Sequence, residues 1–162
     1  MIRAELNKIK WGGSGIEKDT FDFILSNLAP KSRVLEFGSG YCSTAAFSLF
    51  YDVTSIDNNF EYQNIYHNVK YVHAPIKNGW YDFSVISDLE LTDFELIFID
   101  GPSGEGNRNG ILNHLQLFSL NSHFLIHDTN RPPERLLATK IAAKLNRPVE
   151  FYSSADSFAF IK

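Results

Sequence analysis

The stretch "SHFLIHDTNRPPE" (122–134) runs from an apolar segment straight into a histidine, a carboxylate, an amide, an arginine and a second carboxylate. Groups of that kind are costly to bury without partners, so such density at the end of a buried strand points to a bound ligand. "FELIFIDGP" (94–102) ends in the same manner at Asp100, 28 residues before Asp128. Each aspartate directly follows an apolar run, which predicts two adjacent parallel strands with their carboxylates on one rim. In open α/β sheets that rim is where ligands bind. Asp100, Asp128 and His127 are therefore the candidates to take a proton from a bound molecule.

A second constellation lies upstream, in "VLEFGSGYCST" (34–44), a strand feeding a glycine turn that opens a helix. Gly38 and Gly40 let the backbone turn tightly and approach a ligand, and the first turn of the helix presents free N–H groups. Glu36, two residues before the first glycine, is placed to meet a cationic or hydroxylated ligand. Asp57 ends the next strand, 17 residues past Gly40, where an acidic group commonly takes the ribose hydroxyls of an adenosine. A dinucleotide fingerprint requires glycine at position 43, and Ser43 stands there, which disfavours a nicotinamide-dependent oxidoreductase. Two carboxylates around a nucleoside suit a sulfonium cofactor.

The elements that must position these groups alternate along the chain. Short runs rich in Val, Ile and Phe predict strands over 33–37, 52–57, 70–74, 94–100, 122–128, 149–153 and 157–162. Helical spacing of apolar residues predicts helices over 43–51, 107–120 and 132–146, preceded by an N-terminal helix over 19–28. The expected fold is an α/β, Rossmann-like, seven-stranded and mostly parallel sheet with helices on both faces. Only three residues separate the last two strands, so they must form an antiparallel hairpin, giving one reversed strand at the end of the sheet. With 162 residues, one domain is expected, an N-terminal flap and helix over 1–30 and a core over 31–162.

The order of these motifs resembles the class I S-adenosylmethionine-dependent methyltransferases. The E-x-G-x-G turn, the acidic end of strand two, "IFIDGP" and the terminal hairpin carry the resemblance over nearly the whole chain from about Trp11. Within that family, "VLEFGSGYCST", "APIKNGWYD", "IDGPSG" and "HDTNRPPE" are similar to a bacterial subgroup of small methyltransferase-like proteins and to the plant glucuronoxylan methyltransferases. The resemblance implies S-adenosylmethionine held by Glu36, Gly38, Ser39, Gly40, Ser43 and Thr44 around the methionine portion. Asp57 would meet the ribose, His73 and Ala74 would lie near the adenine, and Asn58 and Asp100 would also contact the cofactor. The catechol-type O-methyltransferases of the same superfamily bind magnesium with an aspartate after strand four and an Asp-Asn pair after strand five. Asp100, Asp128 and Asn130 would be the matching oxygen ligands, although Thr129 splits the pair here. Without a metal, Asp100 is the first choice as base for a substrate hydroxyl, Asp128 the next and His127 the third.

The expected reaction is methylation of a hydroxyl oxygen on a small-molecule or saccharide acceptor. Trp80 and Tyr81 are candidates to stack on a ring, and Arg108 with Arg131 to clamp an acidic group. The glycine-rich "SGEGNRNG" (103–110) is expected to close over the ligand, and "WGGSGI" (11–16) to form a flap over the cofactor. A formal charge of −4 offers no basic field for nucleic acid or an anionic membrane. The single cysteine, Cys42, excludes an internal disulfide, and the first residues lack the apolar core of a signal peptide, so a cytoplasmic protein is expected, with a homodimer as an open option. The rival reading is a domain that binds a nucleoside or sugar without turnover.

Overall fold

A computed structural model describes residues 5–13, 15–103, 107–153 and 155–162. In chain order its elements are α1 (Lys18–Asn27), β1 (Arg33–Phe37), α2 (Ser43–Ser48), β2 (Asp52–Asp57), β3 (Val69–His73), β4 (Ile76–Lys77), β5 (Trp80–Tyr81), α3 (Phe83–Ile86), β6 (Leu96–Ile99), β7 (His123–His127), α4 (Pro132–Leu145), β8 (Val149–Ser153) and β9 (Ser157–Ile161). Seven strands form one sheet in the order β3-β2-β1-β6-β7-β9-β8. All pairs from β3 to β7 are parallel, and β9 runs antiparallel to both its neighbours. The reversed strand thus sits one place in from the edge, with β8 outside it.

Successive side chains of a strand point to opposite faces, and both faces here are apolar. Val34, Leu96, Phe98, Leu125 and Phe160 pack on one side against Phe21 and Ile24 of α1 and Phe47 of α2. Leu35, Phe37, Ile97, Ile99 and Ile126 pack on the other against Leu137, Ala138 and Ile141 of α4. Helices therefore cover both faces, as the near-continuous apolar strands require. Among the described residues no helix is long and apolar enough to cross a membrane.

Two local features depart from the sequence expectation. The segment over 107–120 forms two 3-10 helices, Arg108–Asn113 and Leu115–Leu117, in place of one α-helix. Its apolar spacing is nonetheless used, since Ile111, Leu115 and Phe118 are buried. Gly110 lies against Trp80, where a Cβ would come within 2.2 Å of the Trp80 Cβ, so the segment is held by close packing of its backbone. The second feature is the β4–β5 hairpin, turned by Asn78 (φ 54°) and Gly79 (φ 80°). Positive φ at both central residues is the two-residue turn that Asn-Gly favours.

Candidate functional site

The glycine turn is built by contact between two loops. Gly38 has φ 100°, and a Cβ on it would come within 2.7 Å of the Gly101 nitrogen. Gly38 is thus glycine for reasons internal to the fold. Gly40 is different: it has no positive φ, and a Cβ there would meet nothing closer than 3.9 Å. Neither backbone nor packing calls for glycine at that position, and Gly40 lines a large cavity. A side chain there would project into space that a ligand could use.

That cavity, about 1270 Å³, opens at the carboxyl ends of the parallel strands. Gly38, Ser39, Gly40, Ser43 and Asp57 line one part of it and Asp100, His127, Asp128, Arg108 and Arg131 another. Pockets that hold drug-sized ligands run to about 300–1,000 Å³, so this space lies above the usual range for a single small ligand. Gly12, Gly13 and Gly15 of the expected N-terminal flap also line it, whereas Ser14 lies outside the described residues, as do Gly104, Glu105 and Gly106 of the expected closing loop.

Asp57 ends β2 with its carboxylate accepting the Ser39 N–H at 2.9 Å and the Asn59 N–H at 2.7 Å. It is 7% exposed, and burial raises its pKa against the pull of those backbone N–H groups. Glu36 is buried completely and faces no ligand space. Its oxygens accept hydrogen bonds from Ser43 Oγ (2.6 Å), Thr44 Oγ1 (2.6 Å) and Ser55 Oγ (2.5 Å). Burial raises its pKa to about 7, against the lowering effect of the three hydroxyls. The expectation that Glu36 and Thr44 touch the cofactor is corrected accordingly: together they pin the start of α2 to β1, and their bonds are spent on one another.

At the opposite side stands a charge cluster. Asp100 Oδ1 accepts from Arg108 Nη2 at 3.1 Å and from His127 Nδ1 at 2.9 Å. His127 Nε2 lies 2.8 Å from both oxygens of Asp156, which also takes the Thr20 hydroxyl at 2.8 Å and the Glu17 N–H at 3.0 Å. Burial alone would lower the pKa of His127, but the hydrogen bonds and charges of Asp100 and Asp156 outweigh it and raise the value to about 10. Asp156 is shifted down: burial pushes it up and His127 overcomes this. His127 is therefore an imidazolium with both nitrogens donating at neutral pH. It cannot serve as the base, which corrects the third of the base assignments.

Asp128 adopts φ 64°, a left-handed conformation that Asp tolerates better than most residues. Its Oδ2 accepts from Arg108 Nη2 at 3.2 Å and pairs with Arg131 Nη1 at 3.1 Å. Arg108 is 10% exposed and also donates to the carbonyls of His127 (3.1 Å) and Asp100 (2.5 Å). Its guanidinium faces protein oxygens, so it is not free to clamp a substrate; Arg131 is 59% exposed and lines the cavity, paired there with Asp128.

Further expectations are corrected by position. Trp80 and Tyr81 are buried against Phe37 in the core and offer no stacking face. Among the described residues, the Trp80 Nε1 and Tyr81 hydroxyl are buried without a hydrogen-bond partner. Asn58, His73 and Ala74 are not part of the cavity lining. The His73 ring is stacked beneath Phe60 at 3.6 Å, and its Nε2 meets the Asn58 carbonyl at 3.1 Å. Asn130 is exposed, and its backbone N–H donates to Ser157 Oγ. The magnesium site of catechol type does not fit. Asp100, His127 and Asp128 bring ligand atoms within 4.8 Å of one another, but a guanidinium already sits on both carboxylates and Asn130 is no part of the group.

Sequence reading missed Tyr41, Tyr62 and Tyr66, which line the cavity beside the glycine turn; Tyr41 stands within the motif itself and was the available signal. It also missed Asp156, for which no local signal exists, since only the hairpin brings it to His127.

No family model and no curated protein matches the sequence. Solved structures do. The C-terminal domain of precorrin-6Y C5,15-methyltransferase from Rhodobacter capsulatus aligns with a TM-score of 0.64 at 15% identity, over 96% of this chain and 92% of that one. Precorrin-6Y C5,15-methyltransferase from Geobacter metallireducens gives 0.68 at 16% identity, over 97% and 94%. The chain has the methyltransferase fold. MycE methyltransferase of the mycinamycin pathway, solved with Mg, SAH and mycinamycin VI, gives 0.66 at 13% identity over 99% of this chain and 52% of that one.

Proposed function

We propose that the chain is an S-adenosylmethionine-dependent methyltransferase acting on a hydroxyl oxygen of a small-molecule or saccharide acceptor. One observation carries the reading: a single cavity joins the Gly38–Ser39–Gly40 turn and Asp57 to the rim carboxylates Asp100 and Asp128, with Gly40 open to the ligand space. Fold likeness to methyltransferases, among them a structure holding SAH, supports it.

S-adenosylmethionine supplies, when bound, a methyl group on a positively charged sulfur. Ser39 and Gly40 give it a backbone surface without side-chain bulk, and Asp57, its carboxylate oriented by two N–H groups, holds the ribose hydroxyls. Asp100 takes the proton of the acceptor hydroxyl. Its hydrogen bonds fall on Oδ1, and among the described residues no donor reaches Oδ2. Arg108 and His127 fix the carboxylate so that the acceptor meets an oriented base, and positioning is the larger part of the task in such a transfer. Arg131, exposed at the rim, is the cation available to an acidic acceptor.

Isothermal calorimetry with S-adenosylhomocysteine tests the reading. Saturable binding that is at least tenfold weaker in Gly40→Val is expected, and absence of any binding heat in the wild type overturns it.

A further inference from the structure

Asp100 and Asp128 end adjacent parallel strands, an arrangement in which two carboxylates can share a divalent cation. The place between them is filled by the chain itself. Arg108 Nη2 lies 3.1 Å from Asp100 Oδ1 and 3.2 Å from Asp128 Oδ2, while Nη1 donates to the His127 carbonyl and Nε lies 4.0 Å from Glu134 Oε1. All three guanidinium nitrogens thus face oxygens at the carboxyl ends of β6 and β7 and the start of α4.

We propose that Arg108 is a built-in cation standing in for the divalent metal that Asp100 and Asp128 would otherwise bind, so that the site works without one. The chemistry suits that role. A guanidinium is charged at every accessible pH, and its planar fork holds two carboxylates at set positions. Magnesium would have to draw oxygens to about 2.0–2.1 Å and could do so only by displacing a nearly buried arginine from its four hydrogen bonds. The substitution has a functional cost and a gain. A metal offers open coordination positions to the acceptor, whereas Arg108, engaged on every nitrogen, offers none, which leaves proton removal to Asp100. In exchange, Asp100 and Asp128 keep their geometry whatever the metal supply.

Removing the arginine should expose the site it replaces. The atoms of Asp100, His127 and Asp128 lie within 4.8 Å of one another, close enough for a cation to gather them once the guanidinium is gone. The inference concerns cation binding and stands whether or not the cavity proves to be a methyl-transfer site.

The experiment is a manganese titration of the whole protein, followed by water-proton relaxation and by thermal unfolding. Wild type should show no binding that depends on Asp128 and an unfolding temperature unchanged by chelator. Arg108→Ala should bind manganese at least tenfold more tightly than wild type and be stabilised by it, and both effects should vanish in Arg108→Ala/Asp128→Asn. Folded Arg108→Ala that gains no manganese binding overturns the proposal. So does wild-type binding that Asp128→Asn removes, and this second comparison decides alone if Arg108→Ala fails to fold.

Discussion

Two glycines separated by one residue, Gly38 and Gly40, do different work. Gly38 has positive φ and no room for a Cβ, so Gly38→Ala should destabilise the protein by more than about 1 kcal/mol, seen in urea unfolding. Gly40→Ala should unfold within about 0.5 kcal/mol of wild type yet bind S-adenosylhomocysteine about tenfold more weakly. Equal effects in both assays at both positions would remove the distinction. Two of the buried titratable groups, Glu36 and His127, make stability depend on pH in the same direction. Glu36 is raised from its usual 4.5 to about 7, so the stability it contributes is full below 4.5 and lost as pH climbs through 7. His127 is raised from 6.5 to about 10, so its contribution is full below 6.5 and lost on the way to 10. Unfolding free energy measured against pH should lose its downward slope between 4.5 and 7 in Glu36→Gln, and between 6.5 and 10 in His127→Gln. Superimposable curves for wild type and variants would refute both. The sequence identified Glu36 and His127 as chemically notable, but their roles as a buried pin and a bridging cation depend on Ser43, Ser55 and Asp156, which only folding brings to them.

At the scale of elements, strands were the most legible feature. β1, β2 and β8 have the expected bounds, because each is a short apolar run with turn residues on both sides. The segment over 107–120 misled because helical spacing reports which residues are buried and not which hydrogen bonds form; Ile111, Leu115 and Phe118 are buried in either geometry. The β4–β5 hairpin was legible in "KNGW" and was overlooked, and with it the reason Trp80 and Tyr81 are core residues: two-residue strands turned by Asn78-Gly79 carry both inward. Asp156 ties three elements together through Thr20 of α1, His127 of β7 and the Ser157 N–H of β9. Asp156→Ala leaves the Nε2 of a 5%-exposed imidazolium without its carboxylate while Nδ1 keeps Asp100, so a loss of about 1–3 kcal/mol is expected from chemical unfolding. A loss below about 1 kcal/mol would mean that the contact is not a structural tie.

For the whole molecule, binding in a cavity formed only by the folded chain must raise stability. With S-adenosylhomocysteine at 100 times its dissociation constant, the unfolding free energy should increase by about 2.7 kcal/mol, checked by denaturant titration with and without the ligand. No increase would exclude the ligand from the native cavity. The sheet order adds a condition on when that cavity is complete. β8 reaches the sheet only through β9, which pairs with β7 on its other side, so residues 149–153 have no place until 157–161 arrive. A growing chain therefore holds β7 with a bare, aggregation-prone edge while most of the fold is already made. The same late strand is preceded by Asp156, so the partner of His127 is delivered with it. During synthesis the charge cluster and the sheet are finished by one docking event, and a nascent chain stalled before residue 156 should carry a folded glycine turn beside an unfinished charge cluster.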